Sequence, residues 1–360
     1  MRHITINGFK SIRHMEKLEL SNLNVIIGAN GAGKSNFIQV FKLFSSMIYG
    51  GLSQFILSRG GADGFLYNGP KETSKIQIEV ELEPQNGSSV SYHVDLIPTV
   101  TDSFLLDEQR KTAGGHWLSY GATSIESHIP DFKDKDEAGR KIYEALSNIV
   151  VYHFHDTSMN ASLRRPAIIE DNKRLRGDAS NIAPFLLHLK KDYSRAYGEI
   201  LDAVRIVMPF FDDFTLDVLP RGEAEKVGLS WKQRGSDFPM QAYHLSDGSI
   251  RFICLATALL QPDLPQTIII DEPELGLHPA AIPVLAEMIQ AASRSTQVIV
   301  ATQSPLLIDH FDIADILVMD RKDASTCVHR LDPKDFSVWL EDYSVGELWT
   351  KNVIERGPAK

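Results

Sequence analysis

The sequence predicts an α/β protein with a mixed central sheet, an antiparallel β subdomain and a short helical insertion. The first observation is a glycine-rich turn at 28–33, which separates an apolar strand from a segment with helical apolar spacing. The second is the stretch 266–320, where strand-like and helix-like segments alternate as in a parallel sheet. The third is the stretch 75–120, where polar and apolar residues alternate, as in antiparallel strands with one solvated face.

The turn continues to Ser35 and has the pattern G-x-x-x-x-G-K-S, which is typical of a phosphate-binding loop. It follows a strand at 24–27 and precedes a helix at 36–44, so backbone N–H groups and the helix dipole can converge on an anion. Lys34 would reach the β- and γ-phosphates, and Ser35 would ligate Mg²⁺. The alternative is a glycine turn that binds nothing. The candidate nucleotide-binding residues are Gly28, Asn30, Gly31, Ala32, Gly33, Lys34, Ser35 and Asn36.

A β-branched run at 267–270 ends in two carboxylates, Asp271 and Glu272. Such a continuous apolar run is expected of a buried parallel strand. Asp271 can hold Mg²⁺, directly or through water, and Glu272 is the candidate general base for an attacking water. Because the chain turns where the strand ends, both carboxylates can face a nucleotide. The alternative is an acidic loop that begins a helix after Pro273.

A second candidate anion site is Leu-Ser-Asp-Gly-Ser at 245–249, directly before a long apolar helix at 250–260. Ser246 is a natural helix N-cap, and Gly248 allows another backbone to approach closely. A helix N-terminus with this composition can bind an anion. The alternative is an ordinary capped core helix.

These motifs resemble those of the ATP-binding-cassette (ABC) ATPases, and in particular their RecF and SMC branch. The family's Leu-Ser-Gly-Gly-Gln signature binds the γ-phosphate held by the other protomer; Ser246 and Gly248 match it, and Asp247 and Ser249 depart from it. The segment 6–12 resembles the opening strand of RecF and SMC-like heads. The segment 273–279 resembles stand-alone prokaryotic AAA-type ATPases related to the ATPase half of overcoming-lysogenization (OLD) nucleases. The resemblance implies a P-loop NTPase of the ABC/RecF-like type and a head-to-tail homodimer around two ATP–Mg²⁺.

A strand at 297–301 is followed by Thr-Gln-Ser-Pro. In the resembled family a polar residue here contacts the γ-phosphate, and Gln303 takes that place as a third catalytic candidate beside Lys34 and Glu272. Its amide can donate a hydrogen bond but does not titrate near neutrality. The alternative is a satisfied glutamine at a strand end. The family's glutamine loop has no glutamine counterpart at 149–156, where His155 or Asp156 is a weaker candidate than an ordinary strand.

The organisation of the chain follows from the order of these motifs. Residues 156–210 are expected to be largely helical. They contain no sustained heptad repeats, so we expect no coiled-coil arm. The expected domains are an N-terminal ATPase lobe at 1–155, a helical insertion or lid at 156–212, a C-terminal ATPase lobe at 213–335 and a tail at 336–360.

Composition restricts the partners. The 360 residues carry a formal net charge of −10, which argues against broad nonspecific affinity for nucleic acid. The stretch 164–195 is locally basic, so it is either a solvated helical face or a surface for DNA or a protein partner. The sequence contains no apolar run of about 18 residues, so we expect no membrane-spanning helix. The start lacks a signal-peptide core, and two cysteines make no disulfide framework, so we expect a cytoplasmic protein.

We therefore expect an ATPase that closes as a dimer on ATP and opens after hydrolysis. The family resemblance favours a sensor in a prokaryotic, anti-phage defence system with a separate effector protein. The alternatives are a DNA repair or recombination ATPase, a transporter subunit, and a nucleotide-bound interaction scaffold without hydrolysis. The transporter is the weakest of these, since Gln303 stands where transporters commonly have histidine.

Overall fold

A computed structural model of the chain describes residues 1–83, 89–112, 114–221 and 224–356. The strands, in chain order, are β1 His3–Phe9, β2 Ile12–Glu19, β3 Leu23–Ile27, β4 Ile76–Leu82, β5 Val90–Pro98, β6 Phe104–Thr112, β7 Leu118–Ser124, β8 Ile149–Tyr152, β9 Ala167–Ile168, β10 Phe211–Thr215, β11 Val218–Arg221, β12 Ala224–Val227, β13 Ser230–Gln233, β14 Pro239–Gln241, β15 Thr267–Asp271, β16 Gln297–Ala301, β17 Ile316–Lys322 and β18 Ser325–Arg330. The α-helices are α1 Lys34–Tyr49, α2 Leu52–Leu57, α3 Ile129–Phe132, α4 Glu137–Ser147, α5 Ile182–Asp192, α6 Ser194–Val207, α7 Asp247–Leu260, α8 Ile282–Ser293, α9 Pro305–Ile308, α10 Pro333–Phe336, α11 Val345–Thr350 and α12 Val353–Arg356.

The chain divides into two compact units. The first unit comprises Met1–Ile149 and Asp312–Lys360, and the second unit comprises Val150–Phe311. The finer division expected from the sequence, with boundaries after residues 155, 212 and 335, stays a prediction. Residues 357–360 of its C-terminal tail lie outside the described residues. None of the helices in the described ranges has the length and apolar character needed to span a bilayer.

The first unit contains the antiparallel subdomain, a sheet with strand order β2-β1-β4-β5-β6-β7. On β4, Ile76, Ile78, Val80 and Leu82 are buried, while the residues between them are partly exposed. This follows from the two-residue period of a strand that has one face on the core. The antiparallel meander predicted for 75–120 is therefore confirmed for the described residues of that range; residues 84–88 and 113 lie outside them.

The first unit also contains the strand, turn and helix predicted around the glycine motif. β3 is buried along its length and pairs in parallel with β17, which pairs antiparallel with β18, so this sheet is mixed. α1 buries Phe37, Phe41 and Phe44, which are spaced by three or four residues and share one face. The apolar stripe fixes which way α1 leaves the turn.

The second unit contains the predicted alternation of strands and helices. β15 and β16 pair in parallel, with Ile269 opposite Ile299, and α8 lies between them in the chain. β8 lies on the other side of β15. Because the parallel strands are covered on both faces, their β-branched residues are buried throughout. Smaller antiparallel sheets have the orders β10-β13-β14 and β11-β12-β9.

The prediction that 156–210 is largely helical is wrong for its first half. The helices of this stretch are α5 and α6, whereas much of 156–181 is irregular and includes β9. Here side chains take up the backbone groups that a helix would use. The buried Asn181 accepts from the Arg176 amide at 2.9 Å and donates to the carbonyl oxygens of Asp171 and Arg174 at 2.9 and 2.8 Å. Such local bonds compete with helix formation.

Candidate active site

The shape of the predicted phosphate-binding loop, residues 28–35, depends on glycines with positive φ. A Cβ at Gly28 (φ 154°) would clash with the carbonyl oxygen of Met319, and one at Gly33 (φ 113°) would clash with the side chain of Thr326. Gly31 (φ 82°) has open space where its Cβ would be. All three conformations favour glycine. The packing of the first unit therefore explains Gly28 and Gly33, and Gly31 is required by its backbone alone.

Lys34 begins α1 and is buried. Its Nζ donates to the carbonyl oxygen of Gly28 at 2.5 Å and to that of Ala29 at 3.2 Å, so the ammonium lies over the loop's own backbone. Asn30 and Ser35 are exposed. A hydroxyl in the first turn of a helix is an oxygen ligand suited to Mg²⁺, and the helix N-terminus favours anions. The loop therefore has the charge and the donors that a nucleotide phosphate requires.

A chain of short polar side chains contacts the loop within the first unit. The buried Thr326 donates its hydroxyl to the Ala32 carbonyl oxygen at 2.8 Å, and its Oγ1 is 2.8 Å from the hydroxyl of Ser11. Asn36 donates its amide to the same Ser11 hydroxyl at 2.7 Å. Asn36, a predicted nucleotide ligand, thus positions the first turn of α1. Ser11 belongs to the segment 6–12, and its hydroxyl connects that segment to Thr326 and Asn36.

The two predicted carboxylates lie at the end of β15. Asp271 is the last residue of the strand, and the amide of Glu272 still donates to the Ala301 carbonyl oxygen at 2.8 Å. Glu272 then has φ 46°, so the chain leaves the strand through a left-handed conformation that costs a non-glycine residue about 1 kcal/mol. The expected turn directly after Asp271 is present. Strained backbone of this kind is found disproportionately at functional sites.

Gln303 and Glu272 are in direct contact. The Gln303 amide donates to Glu272 Oε1 at 2.7 Å. A third acidic residue, Glu274, accepts at its Oε1 from the Thr302 hydroxyl at 2.6 Å and from the Gln303 backbone amide at 3.1 Å. We refer to Glu272, Glu274, Thr302 and Gln303 as the carboxylate cluster.

Burial raises the pKa of Glu274 above its usual value. The hydrogen bonds from Thr302 and Gln303 oppose this rise, and the nearby Glu272 charge adds to it. Glu274 Oε2 is also buried, and no hydrogen-bond partner for it occurs among the described residues. Glu272 and Glu274 are thus both partly exposed as residues, but the Oε2 atom of Glu274 is buried.

The predicted signature turn, residues 245–249, has the expected capping geometry. The Ser246 hydroxyl accepts from the Ser249 amide at 3.1 Å, which caps α7, and Ser246 is exposed. Gly248 lies against the loop after Glu274. A Cβ at Gly248 would clash with the Gly276 carbonyl oxygen. The close backbone approach predicted for Gly248 is thus present, and the approaching backbone belongs to the same unit.

Asp247, which departs from the family signature, pairs with a buried arginine. Arg164 Nη2 donates to Asp247 Oδ1 at 3.0 Å, and the side chain of Arg164 is 5 % exposed. The same guanidinium donates to the carbonyl oxygens of Ala242 and Leu245, and Nε donates to that of Thr157 at 2.9 Å. Arg164 therefore fixes the signature turn and balances the charge that Asp247 adds to it.

A second buried arginine, Arg251, connects α7, the helix that begins in the signature turn, to two loops. It donates Nε to the Phe154 carbonyl oxygen at 2.9 Å, Nη2 to that of His155 at 3.2 Å and Nη1 to that of Leu275. His155 in turn donates Nε2 to the Asp271 carbonyl oxygen at 3.1 Å. The strand expected through 155 ends earlier, at the end of β8, and His155 contacts the backbone at the end of β15.

Several of these residues were missed by the sequence analysis. Glu274 lies inside a recognised motif, and Arg251 is a cation in an apolar helix, so both carried a signal in the sequence. Arg164 and Thr326 carried none that separates them from ordinary surface residues. Among the predicted residues, the structure brings together Glu272 with Gln303, and Ser246 with Gly248 in one turn. It also groups the loop residues of 28–35 around Lys34.

The fold of the chain is that of the SMC head, a P-loop ATPase fold of the ABC/SMC type. It superposes on the SMC head bound to the C-winged helix domain of ScpA with a TM-score of 0.63 and 16% identity, over 92% of this chain and 97% of that one. It superposes on the Pyrococcus furiosus SMC head with an extended coiled coil, bound to the C-terminal domain of ScpA, with a TM-score of 0.56 and 16% identity, over 95% and 98% of the two chains.

Residues 23–309 match the family described as "AAA domain, putative AbiEii toxin, Type IV TA system". The match spans most of the chain, so the protein belongs to this family. No curated protein sequence matches the chain. Family and fold together confirm the expected class, an ABC/SMC-like P-loop ATPase with mixed and antiparallel sheets.

Proposed function

We propose that this protein binds ATP with Mg²⁺ and hydrolyses the ATP, and that it works as an ATP-gated dimer switch. The observation that carries the proposal is the 2.7 Å hydrogen bond from the Gln303 amide to Glu272 Oε1. Glu272 and Gln303 were singled out from separate motifs, each for a role in hydrolysis. A carboxylate held by a neutral donor is oriented without being neutralised, which suits a general base.

Each residue has a separate role in the proposed reaction. Lys34 and the backbone amides of the phosphate-binding loop bind the β- and γ-phosphates. Ser35 and Asp271 are oxygen ligands suited to Mg²⁺, whose charge would stabilise the phosphates during transfer. Glu272 accepts the proton of the attacking water, and Gln303 holds Glu272 in the required orientation. Ser246 and Gly248 at the N-terminus of α7 bind the γ-phosphate of the ATP held by a second copy of the chain.

The switch would act on a separate effector protein in a prokaryotic defence system. Two findings support a protein partner. Structures of SMC heads with the same fold are described as bound to domains of ScpA, and the family description names a toxin–antitoxin system. ATP would close the dimer and present the surface that the effector binds, and hydrolysis would reverse this.

Two substitutions test the ATPase. Lys34→Ala should abolish nucleotide binding, measured by titration with a fluorescent ATP analogue, while Lys71→Ala, at an exposed lysine, should not. Glu272→Gln should retain ATP binding, lose phosphate release and accumulate as a dimer in size-exclusion chromatography with ATP. Glu287→Gln, at an exposed glutamate of α8, is the matched control. A Glu272→Gln protein that hydrolyses ATP at the parental rate would refute the assignment of the base.

The effector is tested by purifying tagged Glu272→Gln protein from its host with ATP, before and after phage challenge. A single protein partner in stoichiometric amount, absent from the Lys34→Ala sample, supports the two-component switch. Recovery of nuclease-sensitive DNA without a protein partner would instead favour a DNA repair ATPase.

The basic stretch 164–195 gives little support to that alternative. Arg164 is buried at the signature turn. Arg176 pairs with Asp171 at 2.8 Å, and Lys190 pairs with Asp213 at 2.8 Å. These cations are balanced within the second unit, so the stretch offers less net charge to a phosphate backbone than its composition indicates.

A further inference from the structure

Glu274 has contacts that its neighbours in the sequence do not explain. It lies in the loop after β15, yet Oε1 accepts two hydrogen bonds from the loop after β16, one from the Thr302 hydroxyl and one from the Gln303 amide. Thr302 is fully buried. The carboxyl therefore joins the ends of two adjacent parallel strands.

The same contacts determine where the Gln303 side chain points. Gln303 leaves β16 with its backbone amide held by Glu274, and its side-chain amide donates to Glu272 Oε1 at 2.7 Å. The Thr302 hydroxyl also accepts from the Ser304 amide at 3.0 Å, which holds the following residue. One oxygen atom of Glu274 thus fixes the backbone that carries the Gln303 side chain.

The Oε2 atom of Glu274 is in an energetically unfavourable environment. It is buried without a hydrogen-bond partner among the described residues, and a buried unsatisfied acceptor carries an uncompensated desolvation penalty. An apolar side chain would avoid this penalty, but it would leave the Thr302 hydroxyl and the Gln303 backbone amide without their acceptor. A carboxyl there indicates that the acceptor at Oε1 serves the neighbouring Gln303 and Glu272.

We infer that Glu274 is a positioning residue for hydrolysis: it holds the Thr302–Gln303 backbone so that the Gln303 amide orients the Glu272 carboxylate. This inference rests on the proposed ATPase function. It assigns Glu274 no contact with the nucleotide, and it makes Gln303 the only route by which Glu274 affects the reaction.

The kinetic test compares Glu274→Ala with Glu274→Gln in the full chain. Glu274→Ala should lower kcat about tenfold to a hundredfold, as expected when a catalytic group is misplaced, and should leave KM for ATP within about twofold. Glu274→Gln keeps an acceptor oxygen at the same place, so it should restore kcat to within about threefold of the parent. Glu274→Gln that is as impaired as Glu274→Ala would overturn the inference.

A double substitution tests the route through Gln303. If Glu274 acts through Gln303, then Glu274→Ala combined with Gln303→Ala should hydrolyse ATP no more slowly than Gln303→Ala alone. Multiplied losses would show an independent role and refute the inference. Should Glu274→Ala fail to fold, Thr302→Val removes one of the two donors to Glu274 and should give a smaller loss of kcat that Gln303→Ala again masks.

Amide hydrogen exchange separates this inference from the ATPase proposal, because it needs no nucleotide. Peptides that cover 302–308 should exchange faster in Glu274→Ala than in the parent, and at the parental rate in Glu274→Gln. Unchanged exchange in Glu274→Ala would refute the positioning role even if the protein hydrolyses ATP. Faster exchange in Glu274→Ala, together with a parent protein that hydrolyses no ATP, would refute the ATPase proposal and retain the structural role.

Discussion

The phosphate-binding loop of the first unit and the carboxylate cluster of the second unit are held by different kinds of contact. The loop is fixed by glycine backbone packed against Met319 and Thr326, and by hydroxyl and amide groups. The carboxylate cluster is fixed by a partly buried acid, Glu274, with the arginines Arg164 and Arg251 holding the neighbouring turns.

This difference has a physical reason. The loop is proposed to bind the phosphates of ATP, and a rigid cradle of backbone donors is sufficient for that. The carboxylate cluster is proposed to act on a reacting water, which requires oriented charge, and orienting charge requires further charged or strongly polar neighbours. Steric changes should therefore damage the loop most, and loss of a donor or acceptor should damage the cluster and its neighbouring turns most.

The largest expected effect is that of Gly33→Ala. Its positive φ and the clash with Thr326 should lower the free energy of unfolding by about 2–5 kcal/mol and abolish nucleotide binding. Gly31→Ala is the control, since its Cβ would meet open space and only the backbone cost of about 1 kcal/mol remains. Denaturant unfolding and ATP titration measure both. Equal effects of the two substitutions would show that the packing against Thr326 has no importance.

The next effect in size is expected for Arg251→Met, which keeps most of the apolar volume. It leaves the carbonyl oxygens of Phe154, His155 and Leu275 without their donor and should lower the free energy of unfolding by about 2–3 kcal/mol. Arg294→Met, at an exposed arginine, is the control. A loss below that of the control in urea unfolding would show that these carbonyl bonds do not stabilise the second unit.

A smaller effect is expected for Thr326→Val, which keeps the shape and removes the hydroxyl. The Ala32 carbonyl oxygen then loses its donor and Ser11 loses a partner, so the free energy of unfolding should fall by about 1–2 kcal/mol. ATP affinity should fall only severalfold, because Gly28 and Gly33 still shape the loop. Loss of all ATP binding would mean that the hydrogen bonds of Thr326 and Ser11, and not the packing of the glycines, fix the loop.

The smallest effect is a dependence of stability on pH that has opposite signs in the two units. Burial raises the pKa of Glu274, so its contribution to stability is present at acid pH and falls as pH rises. Burial alone would raise the pKa of Asp95, but the hydrogen bonds from His93, Lys75 and Gln77 together hold this pKa well below its usual range. Its contribution is therefore present at neutral pH and is lost as pH falls.

The measurement is urea unfolding of Glu274→Gln and Asp95→Asn across a pH series. Relative to the parent, Glu274→Gln should gain stability as pH rises, and Asp95→Asn should gain stability as pH falls. Parallel pH profiles of the two variants would contradict these assignments.

Local patterns predicted the parts of the site that depend on adjacent residues. The phosphate-binding loop, the carboxylates after β15 and the cap at Ser246 each follow from a few consecutive side chains. The supporting contacts could not be predicted in this way. Ser11 and Thr326 are 315 positions apart, and Arg164 and Asp247 are 83 apart. Their pairing depends on which strands and loops become neighbours, and that is a property of the whole unit.

The irregular stretch 156–181 was mispredicted for a related reason. Its composition is compatible with helix, but Asn181 and Arg164 bind backbone carbonyl groups and so stabilise a non-helical path. Single-residue propensities do not include such competing bonds.

The left-handed backbone of Glu272 places activity and robustness in conflict. Asparagine or glycine adopts φ 46° at lower cost, so Glu272→Asn should stabilise the fold while it removes the proposed base. Directed evolution for heat resistance alone would therefore tend to discard this residue. A screen that also requires phosphate release would retain it, and any gain in melting temperature would then have to come from elsewhere in the chain.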